Sequence, residues 1–489
     1  MNIVIVTPEV TPFSKTGGLA DVCGALGKEL VKLGHRVKTF SPFYKCVKDE
    51  KFEAVDTGNR VEIHLGGKTF LAEIWRSGDH YFIGEESFFF RDAFYGDGEK
   101  DYKDNALRFT FFSKATLETL ITFGEKVDIV HCHDWQTGLI PYYLKKEYKV
   151  NKVLRNAASV FTIHNLAYQG LFPRSIMETI DLPASLFNHH QLEFYDELSF
   201  IKGGLVFADI LTTVSKKYSL EIQEAYMGCG LESVLQKRKG DLFGIINGVD
   251  YDDWNPETDK LIPATYSARD LRGKRRCKRS LKKYFKLSGH ADLPVIGMVS
   301  RLDSQKGFEI IEAAENGLMK LPLQFVFLGS GSKKIQAYLE DLADRYPDKV
   351  ALHIGYSEAL AHLIEAGSDL YLMPSRYEPC GLNHFYSLKY GTIPIVRATG
   401  GLDDAIINYS SSRKSGNGFK FRAFSSSSLV KTIKRAIDLY SNDKESWEKL
   451  QKSVMLEDRS WEKSIKKYDK LYRKVIEKHP ISKKCDQRD

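Results

Sequence analysis

No stretch of this sequence is apolar for the roughly 20 residues that a membrane-spanning helix needs, so no membrane role is expected. The first residues run from Met1-Asn2 straight into Ile3-Val4-Ile5-Val6, without the basic segment and cleavage site of a secretory signal, and a cytoplasmic location is the expectation. Cysteine is scarce and scattered. Cys23, Cys46, Cys132, Cys229, Cys277, Cys380 and Cys485 are odd in number and hold no Cys-x-x-Cys pair, which excludes a disulfide framework and argues for a reducing compartment. Charge of one sign is also missing: 71 Lys+Arg against 64 Asp+Glu leave a net +7, too mild for a nucleic-acid binder with a dense basic stripe. No repeat of solenoid period is found, and low complexity is limited to two serine clusters, 410–412 and 425–428, both read as loop.

What is present is an ordinary globular composition, 43% hydrophobic and 28% charged, over 489 residues, which is too long for one core and predicts two domains. Short β-rich apolar runs recur at 3–6, 127–131, 159–163 and 210–214, and again at 294–299, 323–328, 350–354, 369–373 and 393–396. Helical periodicity fills the intervals, as at 21–33. Strands alternating with helices predict α/β domains, each a doubly wound parallel sheet. The break falls near Gly244-Ile245-Ile246-Asn247-Gly248-Val249-Asp250, where Asn-Gly marks a turn. The expected division is 1–245, 246–458, a terminal helix at 459–475 and a frayed tail at 476–489. The Lys/Arg-rich segment 271–286 reads as a solvated helix face in preference to an anion patch.

Four groups of residues carry chemistry. Lys15-Thr16-Gly17-Gly18-Leu19-Ala20-Asp21 joins the first strand to a helix. Two adjacent glycines let backbone approach a ligand, and helix amides with Lys15 would face an anion; an ordinary turn with a solvated lysine is the alternative. Arg301-Leu302-Asp303-Ser304-Gln305-Lys306-Gly307 follows a strand, where open α/β sheets bind ligands, and a fork and a point charge there can hold a diphosphate. A surface loop with two unconnected cations is the alternative. Glu378-Pro379-Cys380-Gly381-Leu382 sets a carboxylate at another strand end, and Thr399-Gly400-Gly401-Leu402 a second double glycine. Cys380 has no base beside it in sequence and reads as pocket lining, not as a nucleophile. His133-Asp134-Trp135 and His164-Asn165 also follow strands, and an indole beside a carboxylate suits a sugar. Strand alternation turns His131 and His133 to one side, yet no third and fourth ligand is in view, so no metal is expected.

In order and spacing these motifs, with Phe161-to-Gly170, Asn247-to-Asp250 and Pro374-to-Leu382, resemble those of bacterial glycogen synthases and plant starch synthases over about residues 1–475. The resemblance implies the GT-B architecture, two Rossmann-like domains facing a deep cleft, with the last helix crossing back to the first domain. It implies retaining transfer of glucose from ADP-glucose to the non-reducing end of glycogen or another α-1,4-glucan, with no cofactor beyond that co-substrate. The nucleotide-sugar would sit on the C-terminal domain and the glucan on the N-terminal one. By the same resemblance Arg301 and Lys306 bind the diphosphate, and Lys15 and Gly18 approach the nucleotide, with Asp21 near the ribose. Tyr356 stacks on the adenine. His164, Asn247 and Glu378 surround the donor glucose, with Cys380, Gly381, Leu382 and Asn383 lining that pocket, and Asp134 and Trp135 contact glucose or the acceptor.

Two positions depart from neighbouring patterns. Related retaining transferases carry a second Glu eight positions after the first; here it is Tyr386, which matches the synthases and argues against sucrose- and trehalose-making relatives. After Leu382 the family usually has a small residue and then Gln, where this chain has Asn383 and His384. A UDP-glucose-dependent relative with a small acceptor and a non-catalytic glucan binder are the competing readings; Arg301 and Lys306 weigh against the second. The sequence does not specify an oligomeric state.

Overall fold

The computed structural model describes residues 1–48, 52–97, 100–289 and 292–478. Cys485 and the stretch expected as a frayed tail beyond Lys478 lie outside them. The chain divides into two compact units, Met1–Ile246 with the segment from Trp461 onward, and Asn247–Ser460.

The first unit is built on a nine-stranded sheet. Its strands are β1 (Asn2–Val6), β2 (Arg36–Pro42), β3 (Val55–Leu65), β4 (Lys68–Ser77), β5 (His80–Gly84), β6 (Ile129–His133), β7 (Ala158–Ile163), β11 (Ile210–Thr213) and β12 (Leu242–Gly244). A small separate sheet holds β8 (Leu171–Pro173), β9 (Glu193–Phe194) and β10 (Glu197–Ser199). The large sheet runs β12-β11-β7-β6-β1-β2-β5-β4-β3. The strands from β12 to β5 pair in parallel, and β1, β6, β7 and β11 within them are buried along almost their whole length, as strands covered on both faces are. β3 and β4 pair antiparallel, through a Gly66-Gly67 turn with φ of 57° and 71°. In β3 Val61, Ile63 and Leu65 are buried while alternate residues are exposed, the period of a half-buried strand.

Helix Gly18–Lys32 buries Val22, Ala25, Leu26 and Leu30 along one face. Helix Trp461–Lys478 buries Trp461, Ile465, Tyr468, Leu471 and Tyr472 at three- and four-residue spacing. Both stripes join Ile3, Ile5 and Ile129 in one core cluster, so the last helix is part of the first unit. Each such side chain contributes about 1.5–3 kcal/mol by leaving water.

The second unit has six parallel strands, β13 (Val295–Val299), β14 (Gln324–Gly329), β15 (Val350–Ile354), β16 (Leu370–Met373), β17 (Ile393–Arg397) and β18 (Phe419–Phe421), in the order β15-β14-β13-β16-β17-β18. The order reverses between β13 and β16, as it does between β1 and β6 in the first unit. Such a switch point opens a crevice at the carboxyl ends of the strands.

Some local expectations are corrected. The serines at 426–428 are the first turn of helix Ser426–Asn442, with Ser425 as its cap. The basic segment is helix Arg272–Tyr284, but two of its lysines are structural. Lys274 is buried, its ammonium donating to Ala366 O, Tyr390 O and Thr392 Oγ1, and Lys278 pairs with Asp369 at 2.7 Å.

Candidate functional site

In the second unit the loops after β13 and β16 flank the switch point, and hydrogen bonds lace them together. Gln305 donates to Tyr377 O, and the Arg376 amide to Gln305 O at 2.8 Å. Gly307, at φ 78°, passes so close that a Cβ would fall 2.2 Å from Pro374 O, so only glycine permits the approach. The result is a buried ion pair: Lys306 Nζ lies 2.8 Å from Glu378 Oε2, which also accepts from Ser375 Oγ at 2.9 Å. Arg301 is exposed, its guanidinium 3.3 Å from Asp303 and from Gln305 Oε1.

The Glu378–Leu382 loop rests on the turn at Gly400-Gly401. A Cβ on Gly400 would lie 1.9 Å from Glu378 O, and one on Gly401 2.2 Å from Cys380 O. Gly381, at φ 71°, turns the chain toward the helix opened by Leu382 and Asn383, whose amide nitrogen donates to Val299 O at 3.1 Å. Cys380 is buried against Asn247, and burial pushes its thiol up to about 12. Asn247 Oδ1 is buried and has no hydrogen-bond partner among the described residues. Tyr356 follows β15, two strands from the Arg301 loop, and is 80% exposed. The structure thus gathers Lys306, Glu378, Asn247, Cys380, Gly381 and Asn383 into one packed group, with Arg301 at its exposed rim and Tyr356 further along the sheet.

Two residues flagged in the sequence prove to be core. His384 is fully buried with neither ring nitrogen hydrogen-bonded among the described residues, and burial pushes its pKa down to about 3. Tyr386 stacks on Trp254 at 4.0 Å, whose other face carries His362.

In the first unit the corresponding loops follow β1, β6 and β7. Lys15 pairs with Asp21 at 2.7 Å across the start of the first helix, and Gly17 and Gly18 are exposed between them. The loop is held from below by Glu9, which sequence reading missed. Its carboxylate accepts from the Thr16 amide, from Thr16 Oγ1 at 2.6 Å and from Tyr95 OH at 2.6 Å. A single acidic residue after β1, outside any motif, gave no signal of this.

Asp134 is buried at a φ of 56°, unusual for a residue with a side chain. It accepts the His164 amide at 2.7 Å, while burial, outweighing those backbone donors, lifts its pKa to about 7. Trp135 is 7% exposed. Its ring meets Phe109 and Phe172 edge to face, and a Cβ on Gly170 would lie 2.4 Å from it. It is a wall of the site and does not offer the open ring face expected for sugar stacking. His133 Nδ1 and His164 Nε2 share a hydrogen bond of 2.9 Å. His131 lies deeper, its two nitrogens engaged by Tyr472 OH and Thr162 Oγ1 at 2.7 and 2.6 Å, which removes it from any ligand set.

Comparison with known proteins places this geometry. A family model of the starch synthase catalytic domain matches residues 2–237, and one of glycosyl transferases group 1 matches residues 282–453. The chain is 45% identical to a glycogen synthase of Koribacter versatilis, covering 97% of this chain and 98% of that one. It is 42% identical to a glycogen synthase of Syntrophotalea carbinolica, over 98% and 100%. Among solved structures it superimposes on the catalytic domain of starch synthase IV from Arabidopsis thaliana, bound to ADP and acarbose, with a TM-score of 0.90, 36% identity and coverage of 97% and 99%. A sucrose-phosphate synthase from Thermosynechococcus elongatus, 18% identical with a TM-score of 0.59 over 98% and 99%, shares the fold alone.

Proposed function

The chain belongs to the glycogen and starch synthase family of GT-B glycosyltransferases, and from that premise we propose how its residues divide the work of moving glucose from ADP-glucose to the non-reducing end of an α-1,4-glucan. The observation that carries the reading is the Lys306–Glu378 pair, held at 2.8 Å at the switch point of the second unit.

Lys306 and Arg301 bind the diphosphate and meet the charge that develops as ADP leaves. Since two fixed cations supply that stabilisation, the reaction as proposed uses no metal. Glu378 orients Lys306 and takes a hydroxyl of the donor glucose with its remaining acceptor capacity. Asn247 Oδ1, buried and unpartnered among the described residues, supports a second hydroxyl contact. Cys380 and Gly381 line the pocket with backbone, Leu382 and Asn383 open the helix beside it, and Tyr356 stacks on the adenine. From the first unit, Lys15 and Gly18 reach the nucleotide and Asp21 the ribose, with Glu9 holding their loop in shape. His164, positioned through its amide by Asp134, meets the donor glucose, and Trp135 bounds the acceptor.

Transfer retains the anomeric configuration. A double displacement needs a free carboxylate nucleophile at the anomeric carbon. Glu378 is committed to Lys306 and Ser375, and Asp134 to backbone amides, which favours front-face transfer. The acceptor 4-hydroxyl forms the new C1–O bond as the C1–O bond to ADP breaks. Its proton passes to the departing phosphate oxygen. Catalysis is then positioning plus electrostatic stabilisation.

The test incubates purified protein with ADP-glucose or UDP-glucose, with and without glycogen, and follows nucleotide release and chain growth. Glycogen-dependent ADP release matched by chain growth is expected. Preference for UDP-glucose, or nucleotide release without growth, contradicts the reading.

A further inference from the structure

We propose that Cys23, His133 and His164 form a binding site for a thiophilic transition-metal ion, and that its occupation takes His164 away from the donor sugar. The inhibitory part rests on the role given to His164 above; the metal site itself rests on geometry alone.

The three ligating atoms lie within 4.8 Å of one another. They come from separate elements: Cys23 from the second turn of helix Gly18–Lys32, His133 from the end of β6, and His164 from the residue after β7. Cys23 and His133 are fully buried, and His164 is half-buried. His133 keeps one buried nitrogen, Nε2, without a hydrogen-bond partner among the described residues, while its Nδ1 meets His164 Nε2 at 2.9 Å. Two imidazole nitrogens on one tetrahedral zinc stand roughly 3.3 Å apart, so a small spread of the two rings admits the ion. One sulfur and two imidazoles select zinc-like ions over magnesium or calcium, which take oxygen ligands. Three protein ligands also leave the fourth position open to water or substrate.

Binding balances as follows: the Cys23 thiol loses its proton to solvent, the proton held between the two rings moves to the other nitrogen of its own imidazole, and both imidazoles bind neutral, each through one nitrogen. The His133–His164 hydrogen bond is replaced by two metal–nitrogen bonds, and the imidazole of His164 is no longer available to a sugar hydroxyl. The ligand set was not visible in the sequence because Cys23 reads as one more apolar position on a helix face.

The test uses the full chain, stripped of metal with a chelator and kept reduced, titrated with cobalt(II) and, in parallel, assayed for glucosyl transfer against zinc. One equivalent of cobalt should produce a thiolate-to-metal charge-transfer band that Cys23→Ala abolishes. Zinc inhibition should weaken at least about 100-fold in that variant, a ligand being worth no less than an outer-shell partner, with metal-free turnover unchanged. Absence of the band, its persistence in Cys23→Ala, or equal zinc inhibition of both proteins would overturn the proposal. Should Cys23→Ala not fold, the band is measured in Cys46→Ser/Cys229→Ser/Cys485→Ser: its retention supports the site and its loss refutes it. His164→Ala separates the two layers. If it is inactive while cobalt binds the parent without inhibiting, the proposal falls and the role of His164 stands; if it turns over normally, that role falls and the inhibition with it.

Discussion

Lys306 Nζ sits 2.8 Å from Glu378 Oε2 at the point where the strand order reverses, between the parallel neighbours β13 and β16, with side-chain exposures of 17% and 6%. A pair this buried is more costly to break than to replace, because the surviving partner keeps its desolvation without its attraction. Lys306→Met should therefore lower unfolding stability by about 3 kcal/mol. Glu378→Gln, which leaves a neutral acceptor for Ser375, should cost distinctly less. Urea denaturation of the two variants checks the asymmetry.

Asp134 makes stability depend on pH. Burial lifts its pKa to about 7, above the carboxylate's ordinary value of 3.8, so between these limits the folded state holds a proton that the unfolded state has lost. Stability then falls as pH rises through that window and levels off above about 7. The slope is at most about 1.4 kcal/mol per pH unit. Asp134→Asn keeps an oxygen for the His164 amide and should flatten the dependence. Denaturation of both proteins at pH 4.5 and 7.5 compares them; parallel curves would contradict the assignment.

Neither Cys380 nor His384 should titrate in the working range. Burial pushes the Cys380 thiol up to about 12 and His384 down to about 3. Cys380→Ala is expected to keep turnover within about tenfold, since an inert buried thiol supplies no nucleophile. His384→Gln should leave the shape of the pH–rate profile between pH 6 and 8 unchanged.

Much of this architecture was legible from a simple physical cause. Parallel strands buried on both faces are continuous apolar runs, so β1, β7, β13 and β14 stood out, and much of the chemistry followed at the carboxyl ends of such strands. The run ending at His131 misled, since the strand continues through His133 and carries both imidazoles into the sheet. The β3–β4 hairpin was overlooked because β3 is apolar only at every second residue of its second half, although Gly66-Gly67 marks its turn. Lys274 could not be recognised as buried: three oxygens that satisfy its ammonium come from residues remote in sequence. Glu9 and the Cys23 cluster were hidden for the same reason, because their partners converge only in the folded chain. Trp135 was read by its type as suited to a sugar, and only the packing of Phe109, Phe172 and Gly170 shows that its ring is buried.

Tyr356 offers a contrast, since at 80% exposure it contributes little to the fold. Loss of a base-stacking ring costs about 1–3 kcal/mol. Tyr356→Ala should then raise KM for ADP-glucose by roughly 5- to 100-fold, with kcat and thermal midpoint nearly unchanged. A fall in kcat at constant KM would place the ring elsewhere in the reaction.

The most direct test of the account is the turnover of Arg301→Ala and Lys306→Ala at saturating ADP-glucose, measured beside glycogen affinity. Donors aimed at developing charge are worth about 10²–10³ in kcat. Each variant should lose at least that much while binding glycogen as the parent does. Near-normal turnover in either variant would contradict the assignment of these two cations to the departing ADP.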